Sequence, residues 1–259
     1  MNKKTAIVCG SSKGMGLAIA QKLASDGHNV LLVARNEELL KTASQAIKND
    51  GGSAAFYIGD VTESDAAEKA VAACLSEWNQ APTILINNAG GPKAGTLKDL
   101  SDSDWDDAYQ LSLMSFVRYT RAVIPHMEKE NWGRIVNITS SVAKEPSPGM
   151  LLSAAYRAGV SSLTKAIAIE YAQKNITINT ILPGGVLTER LHSLIKGQSK
   201  STGKSVEELL KSSQESIPIN RFADPSEVAN VVSFLTSENA SYVTGTSIAV
   251  DGGLTKSYF

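Results

Sequence analysis

Residues 5–16 read TAIVCGSSKGMG, a short apolar run that passes through three spaced glycines into a longer helical pattern. The apolar, β-branched run at 5–9 predicts a buried strand. Gly10 permits a tight turn, Gly14 lets the backbone approach a diphosphate, and Gly16 lets the helix pack closely on the strand. The first N–H groups of such a helix are unpaired and attract an anion. This stretch therefore predicts a strand–turn–helix unit that binds the diphosphate of a nucleotide.

Strand and helix patterns alternate along the rest of the chain. Further apolar runs predict strands at 29–34, 54–58, 83–87, 134–138, 177–182 and 247–250. Helical periodicity predicts helices at about 14–26, 37–49, 64–78, 103–129, 151–174 and 225–235. Such alternation is typical of βαβ units. We therefore predict the α/β class: one Rossmann-type, doubly wound parallel sheet of about seven strands with helices on both faces, in a single domain over residues 1–259.

One segment has a biased composition, because residues 196–205 read KGQSKSTGKS. This polar composition favours a solvated loop. The alternative interpretation is a mobile lid over a pocket, and the substrate lid would then extend over residues 188–220.

Composition argues against several classes of function. The 259-residue chain has a formal net charge of -1 at pH 7, which indicates no basic surface for nucleic acid or an anionic membrane. Cys9 and Cys74 lack the spacing of a zinc site or a disulfide framework. The histidines are isolated from other possible ligands: His28, His126 and His192. We predict no metal, and because the N-terminal apolar run is too short for a signal peptide or a membrane span, we expect a cytoplasmic location.

Short motifs follow one another along the chain in a fixed order. They are G-x-x-x-G-x-G at 10–16, Asp60-Val61 after the third predicted strand, N-N-A-G at 87–90, P-G-x-x-x-T at 183–188 and V-D-G-G at 250–253. Together these motifs span nearly the whole chain and resemble those of the short-chain dehydrogenase/reductase family. The resemblance implies a dinucleotide cofactor and the transfer of a hydride between this cofactor and a carbonyl or alcohol carbon.

The resemblance also implies where the cofactor binds. In the family, the glycine-rich turn holds the diphosphate, an Asp after the third strand lies near the adenine, and the P-G-x-x-x-T segment holds the nicotinamide carboxamide. Carried over residue by residue, the implied cofactor site consists of Gly10, Ser12, Lys13, Gly14, Met15, Gly16, Arg35, Asp60, Val61, Asn88, Ala89, Gly90, Arg157, Pro183, Gly184, Val186 and Thr188.

The charge at the end of the second predicted strand indicates which nicotinamide cofactor is used. NAD enzymes usually place a carboxylate there, and this group would repel a 2′-phosphate. Residues 33–36 read VARN, and no acidic residue follows until Glu37. Arg35 can pair with a phosphate, and Lys13 in the glycine-rich turn adds a second positive charge. We therefore predict NADP(H) rather than NAD(H).

The resemblance breaks down at the catalytic residues. The family uses Asn, Ser, Tyr and Lys, the last two as Y-x-x-x-K on one helix, and the corresponding stretch here lacks that motif. G-R-I-V-N-I-T-S at 133–140 matches the strand that ends in the family's serine, so Ser140 is retained. Alignment from this strand and from the following helix both place Ser153 at the tyrosine position and Arg157 at the lysine position. Ser112 stands in place of the asparagine.

These replacements leave the proton donor open. Arg157 can hold the nicotinamide ribose with its positive charge, but it does not lose a proton near neutral pH. A serine at position 153 is a weaker acid than a phenol and reaches less far. The candidate donors are Tyr156, a water held by Ser140, Ser153 and Ser112, or an acidic group of the substrate, and we favour the water. The alternative interpretation of Tyr156 is packing between helices.

N-A-G-G-P at 88–92, K-E-P at 144–146 and the stretch 153–157 together resemble a divergent branch related to β-ketoacyl-[acyl-carrier-protein] reductases. This resemblance implies an NADP(H)-dependent enzyme that reduces a carbonyl, of the 3-oxoacyl type or another ketone, to an alcohol. The alternative is a non-catalytic NADP(H)-binding homologue that acts as a sensor or an assembly partner. The resemblance further implies a homotetramer or homodimer, in which helices 103–129 and 151–174 pair across one two-fold axis and the strand at 247–250 across another.

Overall fold

A seven-stranded parallel sheet forms the centre of the computed structural model, which describes residues 3–257. The strands are β1 (Thr5–Cys9), β2 (Asn29–Ala34), β3 (Ser53–Ile58), β4 (Ile84–Asn87), β5 (Gly133–Ile138), β6 (Ile176–Pro183) and β7 (Ser247–Val250). Their order across the sheet is β3-β2-β1-β4-β5-β6-β7, and every neighbouring pair is parallel. The predicted α/β class and doubly wound parallel sheet are confirmed.

Helices cover both faces of this sheet. They are α1 (Gly14–Ser25), α2 (Glu37–Asn49), α3 (Ala66–Trp78), α4 (Asp102–Tyr109), α5 (Ser115–Glu130), α6 (Leu151–Tyr171), α7 (Glu189–Thr202), α8 (Val206–Glu215) and α9 (Pro225–Thr236). On one face, α1, α2 and α9 pack against Ala6 and Val8 of β1. On the other face, α3, α5 and α6 pack against Ile7 and Cys9. Because consecutive strand residues point to opposite faces, burial on both faces produces the continuous apolar runs seen in the sequence.

The connections reverse direction between β1 and β4. β1 is hydrogen-bonded to β2 on one side and to β4 on the other. In an open parallel sheet, such a reversal leaves a crevice at the carboxyl ends of the two strands, and ligands bind there. The glycine-rich turn at 10–16 follows β1 at this edge, and the N-N-A-G segment at 87–90 follows β4. The fold therefore brings the two motifs to one crevice.

The long helix predicted at 103–129 is divided in the structure. After α4, a π-helical turn occupies Gln110–Met114, and α5 begins directly behind it. Single π-turns within helices often occur at functional sites. Ser112 lies in this turn and is buried. The helical periodicity predicts the length of the element but not this local widening.

The polar segment at 196–205 is not the loop that its composition favours. α7 continues through it to Thr202 and ends at Gly203, whose φ of +73° is the left-handed conformation common after a helix. Ser205 then caps α8 by accepting a hydrogen bond from the Glu208 N–H. The segment is the end of one helix and the start of another. Its polar composition is compatible with helix because the solvent-facing side of a surface helix is polar as well.

No helix within residues 3–257 has the length and apolar character needed to cross a membrane. The same part of the chain does not gather three or more His, Cys, Asp or Glu side chains into a potential metal site. Cys9 and Cys74 are free, buried thiols. Burial raises the pKa of Cys74 to about 12, so its thiol is kept in the unreactive, protonated form.

Candidate active site

The residues predicted to hold the cofactor meet at the crevice between β1 and β4. Asn88 follows β4, and its Nδ2 donates to the carbonyl oxygens of Cys9 and Gly10, at 3.2 Å each. This side chain therefore holds the glycine-rich turn at the end of β1. Gly14 lies against Thr188, whose methyl carbon would be 3.4 Å from a Cβ at position 14. The segments that follow β1, β4 and β6 thus adjoin one another, as the motifs imply.

The glycine-rich turn has no room for side chains at two of its positions. A Cβ at Gly10 would lie 2.2 Å from the Asn88 carbonyl oxygen, and one at Gly16 would lie 2.2 Å from the Gly10 carbonyl oxygen. Gly10 also has a φ of +59°, a conformation that favours glycine. At Gly90, by contrast, no heavy atom of the described chain lies within 4 Å of an added Cβ. The backbone is therefore tightly packed at Gly10 and Gly16, whereas Gly90 has open space beside it.

Arg35 lies at the end of β2, where the 2′-phosphate is expected. Its side chain is 80% exposed, and its Nη1 lies 3.5 Å from the Asp60 carboxylate. Partial burial by itself would raise the pKa of Asp60. Hydrogen bonds from Thr62 and attraction to Arg35 outweigh this effect, so the pKa is lowered. Asp60 thus stays ionised in the turn after β3, and the exposed guanidinium beside it is accessible to a phosphate.

Arg35→Ala is expected to weaken NADPH binding about tenfold and to leave NADH binding nearly unchanged. Only NADPH carries the 2′-phosphate, and a charge-assisted hydrogen bond at so exposed a site contributes about 1.5 kcal/mol. Fluorescence titration of both cofactors measures the two dissociation constants. Lys41→Ala is the matched control, because Lys41 pairs with Glu37 on α2 and should affect neither cofactor. Equal losses for NADPH and NADH would refute the assignment of Arg35.

Lys13, the second residue predicted for the 2′-phosphate, forms an ion pair with Glu189 at the start of α7. Both side chains are more than half exposed. The pair connects the glycine-rich turn to the helix that follows β6. If Lys13 binds the 2′-phosphate as predicted, Glu189 would compete with that phosphate for the Lys13 ammonium group.

Removing this competitor by Glu189→Gln should tighten NADPH binding by up to about fivefold, because an exposed ion pair contributes about 1 kcal/mol or less. The same titration measures the effect. The control is Glu207→Gln, which removes one negative charge from the first turn of α8, outside the glycine-rich turn. This variant should leave the affinity for NADPH unchanged. Weaker NADPH binding in the Glu189 variant would show instead that this carboxylate supports the cofactor site.

The serines of the predicted catalytic set lie on elements that contact one another. Ser140 follows β5 and caps the 3₁₀ turn Ser141–Ala143, where its Oγ accepts from the Val142 N–H at 3.4 Å. Ser153 is buried in the first turn of α6, and α6 contacts both this 3₁₀ turn and the π-helical turn. Within residues 3–257, the buried Ser112 hydroxyl has no hydrogen-bond partner. A buried hydroxyl normally has a partner, so a water or a ligand is expected to bind Ser112.

Arg157 is buried, with 7% of its surface exposed. Its Nη1 donates to the carbonyl oxygens of Ile138 at 3.0 Å and Thr139 at 2.8 Å, and its Nη2 lies 3.4 Å from the Gly90 carbonyl oxygen. Burial lowers the pKa of Arg157 to about 10, so the guanidinium remains charged at neutral pH. The contact with the nicotinamide ribose stays a prediction. The structure adds a second role, which is to fasten α6 to the end of β5 and to the segment after β4.

Tyr156 packs against α4. Its hydroxyl donates to the Trp105 carbonyl oxygen at 3.1 Å, and its ring lies edge-on to that of Trp105 with the centroids 5.9 Å apart. Burial raises the pKa of the phenol, which makes it a weaker acid. These contacts support the packing interpretation of Tyr156 rather than a role as the relocated proton donor.

A buried polar network, which the motifs do not indicate, holds α6 over the sheet. Asn87 Nδ2 donates to Asn137 Oδ1 at 2.8 Å, and Asn137 Nδ2 donates to the Thr164 hydroxyl oxygen at 2.8 Å. The Thr180 hydroxyl donates to the same oxygen at 3.0 Å. Thr164 lies about two turns after Arg157 on α6. The network therefore sets the position of the helix that carries Ser153 and Arg157. In the sequence, it is indicated by polar residues within otherwise apolar strands.

A second arginine, Arg190, lies near Arg157, and no sequence motif indicates it. Arg190 is in the first turn of α7 and extends across Gly91, where a Cβ would be 2.6 Å from its Nη2. The same nitrogen donates to the Pro92 carbonyl oxygen at 2.8 Å. Although Arg190 remains exposed, the hydration that it loses on this backbone lowers its pKa. The guanidinium group of Arg157 thus contacts Gly90, and that of Arg190 lies over the next residue, Gly91.

Comparison with known proteins assigns the whole chain to a family. The family model described as enoyl-(acyl carrier protein) reductase matches residues 10–255. The chain is 35% identical over 256 residues to a putative ketoacyl reductase of monensin polyketide synthase from Streptomyces virginiae, with 97% of each chain covered. It is 31% identical over 252 residues to a 3-oxoacyl-[acyl-carrier-protein] reductase from Staphylococcus epidermidis, with 97% of this chain and 98% of the relative covered.

A solved structure agrees with these sequence relationships. The chain superimposes on a variant of the actinorhodin polyketide ketoreductase with NADPH at a TM-score of 0.95 and 33% sequence identity, with 99% of this chain and 98% of that chain covered. The glycine-rich turn, the reversal between β1 and β4 and the strand that ends before Ser140 are the features that the motifs predict for this family. The chain therefore belongs to the short-chain dehydrogenase/reductase family.

Proposed function

We propose that the protein is an NADP(H)-dependent oxidoreductase that reduces a carbonyl to an alcohol. The observation that carries this proposal is the position of Ser140 at the end of β5, beside a dinucleotide crevice whose glycines make the required close contacts. Related proteins are ketoacyl reductases, and the actinorhodin ketoreductase structure contains NADPH. The same cofactor, when bound here, would supply a hydride to the carbonyl carbon of the substrate.

The chain offers a separate group of residues to each part of this cofactor. The unpaired N–H groups at the start of α1 and in the turn before it, from Ser12 to Gly16, would hold the diphosphate. Arg35 and Lys13 would bind the 2′-phosphate. Asp60 and Val61 would border the adenine. The nicotinamide half would lie against residues after β4, at the end of β6 and beyond it: Asn88, Ala89, Gly90, Pro183, Gly184, Val186 and Thr188.

The remaining chemistry falls to the residues around Ser140. Its hydroxyl would donate a hydrogen bond to the substrate carbonyl oxygen as negative charge develops there. Arg157 supplies a fixed positive charge, because its pKa of about 10 keeps it protonated at neutral pH. A water bound by Ser112, Ser140 and Ser153 would then give its proton to the alkoxide, and the hydroxide left behind would take a proton from bulk solvent. The unpartnered Ser112 hydroxyl supports this water site.

A substrate screen tests the proposal. Ketones, 3-oxoacyl thioesters and alcohols are offered with NADPH or NADP⁺, and oxidation or reduction of the cofactor is followed by absorbance. We expect turnover with NADPH, with the 3-oxoacyl thioesters as the first class to examine. Lack of turnover with every class, while NADPH still binds, would support the alternative of a non-catalytic sensor or assembly partner.

We also propose a cytoplasmic homodimer or homotetramer. α6 exposes Ile169 and the segment before β7 exposes Tyr242, at 69% and 102% of their reference surfaces. β7 is an edge strand with one side unpaired in the sheet. Exposed apolar side chains and open strand edges are commonly covered by association. Light scattering at micromolar concentration should therefore give a dimer or a tetramer, and a monomer alone would contradict this proposal.

The substrate lid, proposed for residues 188–220, would consist of α7 and α8. α7 begins directly after Thr188, and its first turn carries Arg190 to the segment after β4. The backbone before this lid is held in place, because the Leu187 N–H donates to the Ala223 carbonyl oxygen at 2.9 Å. Movement of the lid would therefore pivot near Thr188.

A further inference from the structure

Two arginines contact the segment after β4, and within residues 3–257 neither forms an ion pair with an Asp or Glu side chain. We propose that Arg157 and Arg190 together bind a carboxylate of the carbonyl substrate, so that the preferred substrate is an oxo acid rather than a neutral ketone. This inference rests on the proposed reductase function and specifies the substrate class of the same site.

The first arginine is held rigidly at the base of the site. The contacts of Arg157 are the main-chain oxygens of Ile138, Thr139 and Gly90, which are neutral groups. Thr139 directly precedes Ser140, so the charge of Arg157 lies next to the residue that would contact the carbonyl oxygen. A guanidinium with five donors retains N–H groups beyond these three contacts. It can therefore serve a ligand without giving up its structural role.

The second arginine lies at the mouth of the same site. Arg190 rests on Gly91 because that position has no side chain: an added Cβ would be 2.6–2.8 Å from three atoms of the guanidinium group. Its contact in the structure is again a neutral carbonyl oxygen, that of Pro92. Arg190 is exposed, so its outer donors are accessible to a molecule that enters the crevice.

The nearby carboxylates of the described chain are engaged elsewhere. Within residues 3–257, no Asp or Glu forms an ion pair with Arg157 or Arg190. Glu189 pairs with Lys13, Asp104 pairs with Lys93, and Glu145 accepts hydrogen bonds from the backbone N–H groups of residues 256 and 257. In the described part of the chain, the site therefore has two positive charges and no carboxylate side chain paired with either of them.

Electrostatics favours an anion at this point. Burial and the proximity of Arg190 both lower the pKa of Arg157, which means that its charged form is held at a cost in free energy. A desolvated charge without a counter-charge is unfavourable. An anion bound by both guanidinium groups would offset the desolvation cost of Arg157 and the repulsion between the two arginines. Guanidinium groups bind carboxylates with two parallel hydrogen bonds. A 2-oxo or 3-oxo acid has its carboxylate within two bonds of the carbonyl carbon. This spacing suits a guanidinium group that lies 2.8 Å from the Thr139 carbonyl oxygen, one residue before Ser140.

Matched pairs of acid and ester test this inference. The pairs are 2-oxo-4-phenylbutanoate with its ethyl ester and acetoacetate with ethyl acetoacetate, each reduced with NADPH. For the wild type we expect kcat/KM for the acid to exceed that for the ester by about tenfold or more. Arg190→Gln should lower this ratio about tenfold and leave the Kd for NADPH unchanged. Gly91→Ala, which displaces Arg190 without changing charge, should lower the ratio in the same direction.

Lys93→Gln is the control, because it removes one positive charge from the same segment at a residue already paired with Asp104. This variant should keep the wild-type ratio. An ester reduced as well as its acid by the wild type would overturn the inference while leaving the reductase function intact. A weaker Kd for NADPH in Arg190→Gln, with an unchanged ratio, would assign the pair to a cofactor phosphate instead.

The inference can also be tested without turnover. Calorimetric titration of 2-oxo-4-phenylbutanoate and its ester into the protein–NADP⁺ complex, which has no hydride to transfer to a carbonyl, gives their affinities directly. Preferred binding of the acid would support the anion site even if NADPH reduces neither compound, and the substrate screen then decides the reductase function separately. Binding without preference for the acid, or the absence of binding by both compounds, would refute the anion site.

Discussion

Gly16→Ala is expected to reduce the affinity for NADPH by about 100-fold or more. The added carbon would lie 2.2 Å from the Gly10 carbonyl oxygen and 2.7 Å from Asn88 Nδ2. The first of these atoms is backbone, and the second is held by hydrogen bonds to the carbonyl oxygens of Cys9 and Gly10. The turn must therefore open, which displaces the N–H groups that face the diphosphate. Overpacking of this kind costs about 1–3 kcal/mol, and 2.7 kcal/mol corresponds to about 100-fold in affinity.

Fluorescence titration with NADPH measures this loss, after circular dichroism has shown whether the variant is folded. Gly197→Ala is the control, because Gly197 is inside α7 and, apart from its neighbours and its own helix backbone, no heavy atom of residues 3–257 lies within 4 Å of the added carbon. It should bind NADPH normally and raise the free energy of unfolding by about 0.5–1 kcal/mol. A folded Gly16→Ala variant with wild-type affinity would show that close packing of the turn is not required.

Ser140→Ala is expected to lower turnover at least tenfold, and about 10²–10³-fold if its hydroxyl is the direct donor to the developing oxyanion. The Kd for NADPH should stay unchanged, because Ser140 would contact the substrate rather than the cofactor. Steady-state rates with the best substrate of the screen, together with the NADPH titration, measure both quantities. Wild-type turnover in this variant would remove Ser140 from the proposed chemistry.

Tyr156→Phe is the companion experiment and separates the two candidate proton donors. The hydroxyl of Tyr156 is bound to the Trp105 carbonyl oxygen, so its removal should change turnover little and cost about 1 kcal/mol of stability at most. A Tyr156→Phe variant that binds NADPH normally but loses nearly all turnover would contradict the water donor. Tyr156 would then be the relocated acid.

Local patterns in the sequence are sufficient for most of the fold. β1, β2 and β7 have the same bounds as the apolar runs that predict them, β3, β4 and β5 differ by one residue at one end, and β6 is one residue longer at each end. A strand buried on both faces must be apolar at consecutive positions, so its signal lies within its own residues. The glycine-rich turn is local in the same sense, because its backbone conformation depends on Gly10 itself.

The candidate site could be predicted only in part. The motif spacing places Ser112, Ser140, Ser153 and Arg157 on elements that the fold brings together, because the ends of parallel strands meet at one edge of the sheet. Their chemical roles remain predictions. The sequence allows Tyr156 to be either a proton donor or a packing residue, and the choice depends on its contact with Trp105, which lies 51 residues earlier in the chain.

Other features arise only when distant segments meet. Two features depend on packing. Helical periodicity predicts a regular helix where the π-helical turn buries Ser112, and composition favours a loop where the polar segment after Lys196 is helical. Arg157 contacts Gly90 across 67 residues, and Arg190 contacts Pro92 across 98. No periodicity or motif spacing near either arginine indicates that the other arginine lies close to it. Their shared position is set by parallel strands that end at one edge, where residues remote in sequence are brought within reach of the same ligand.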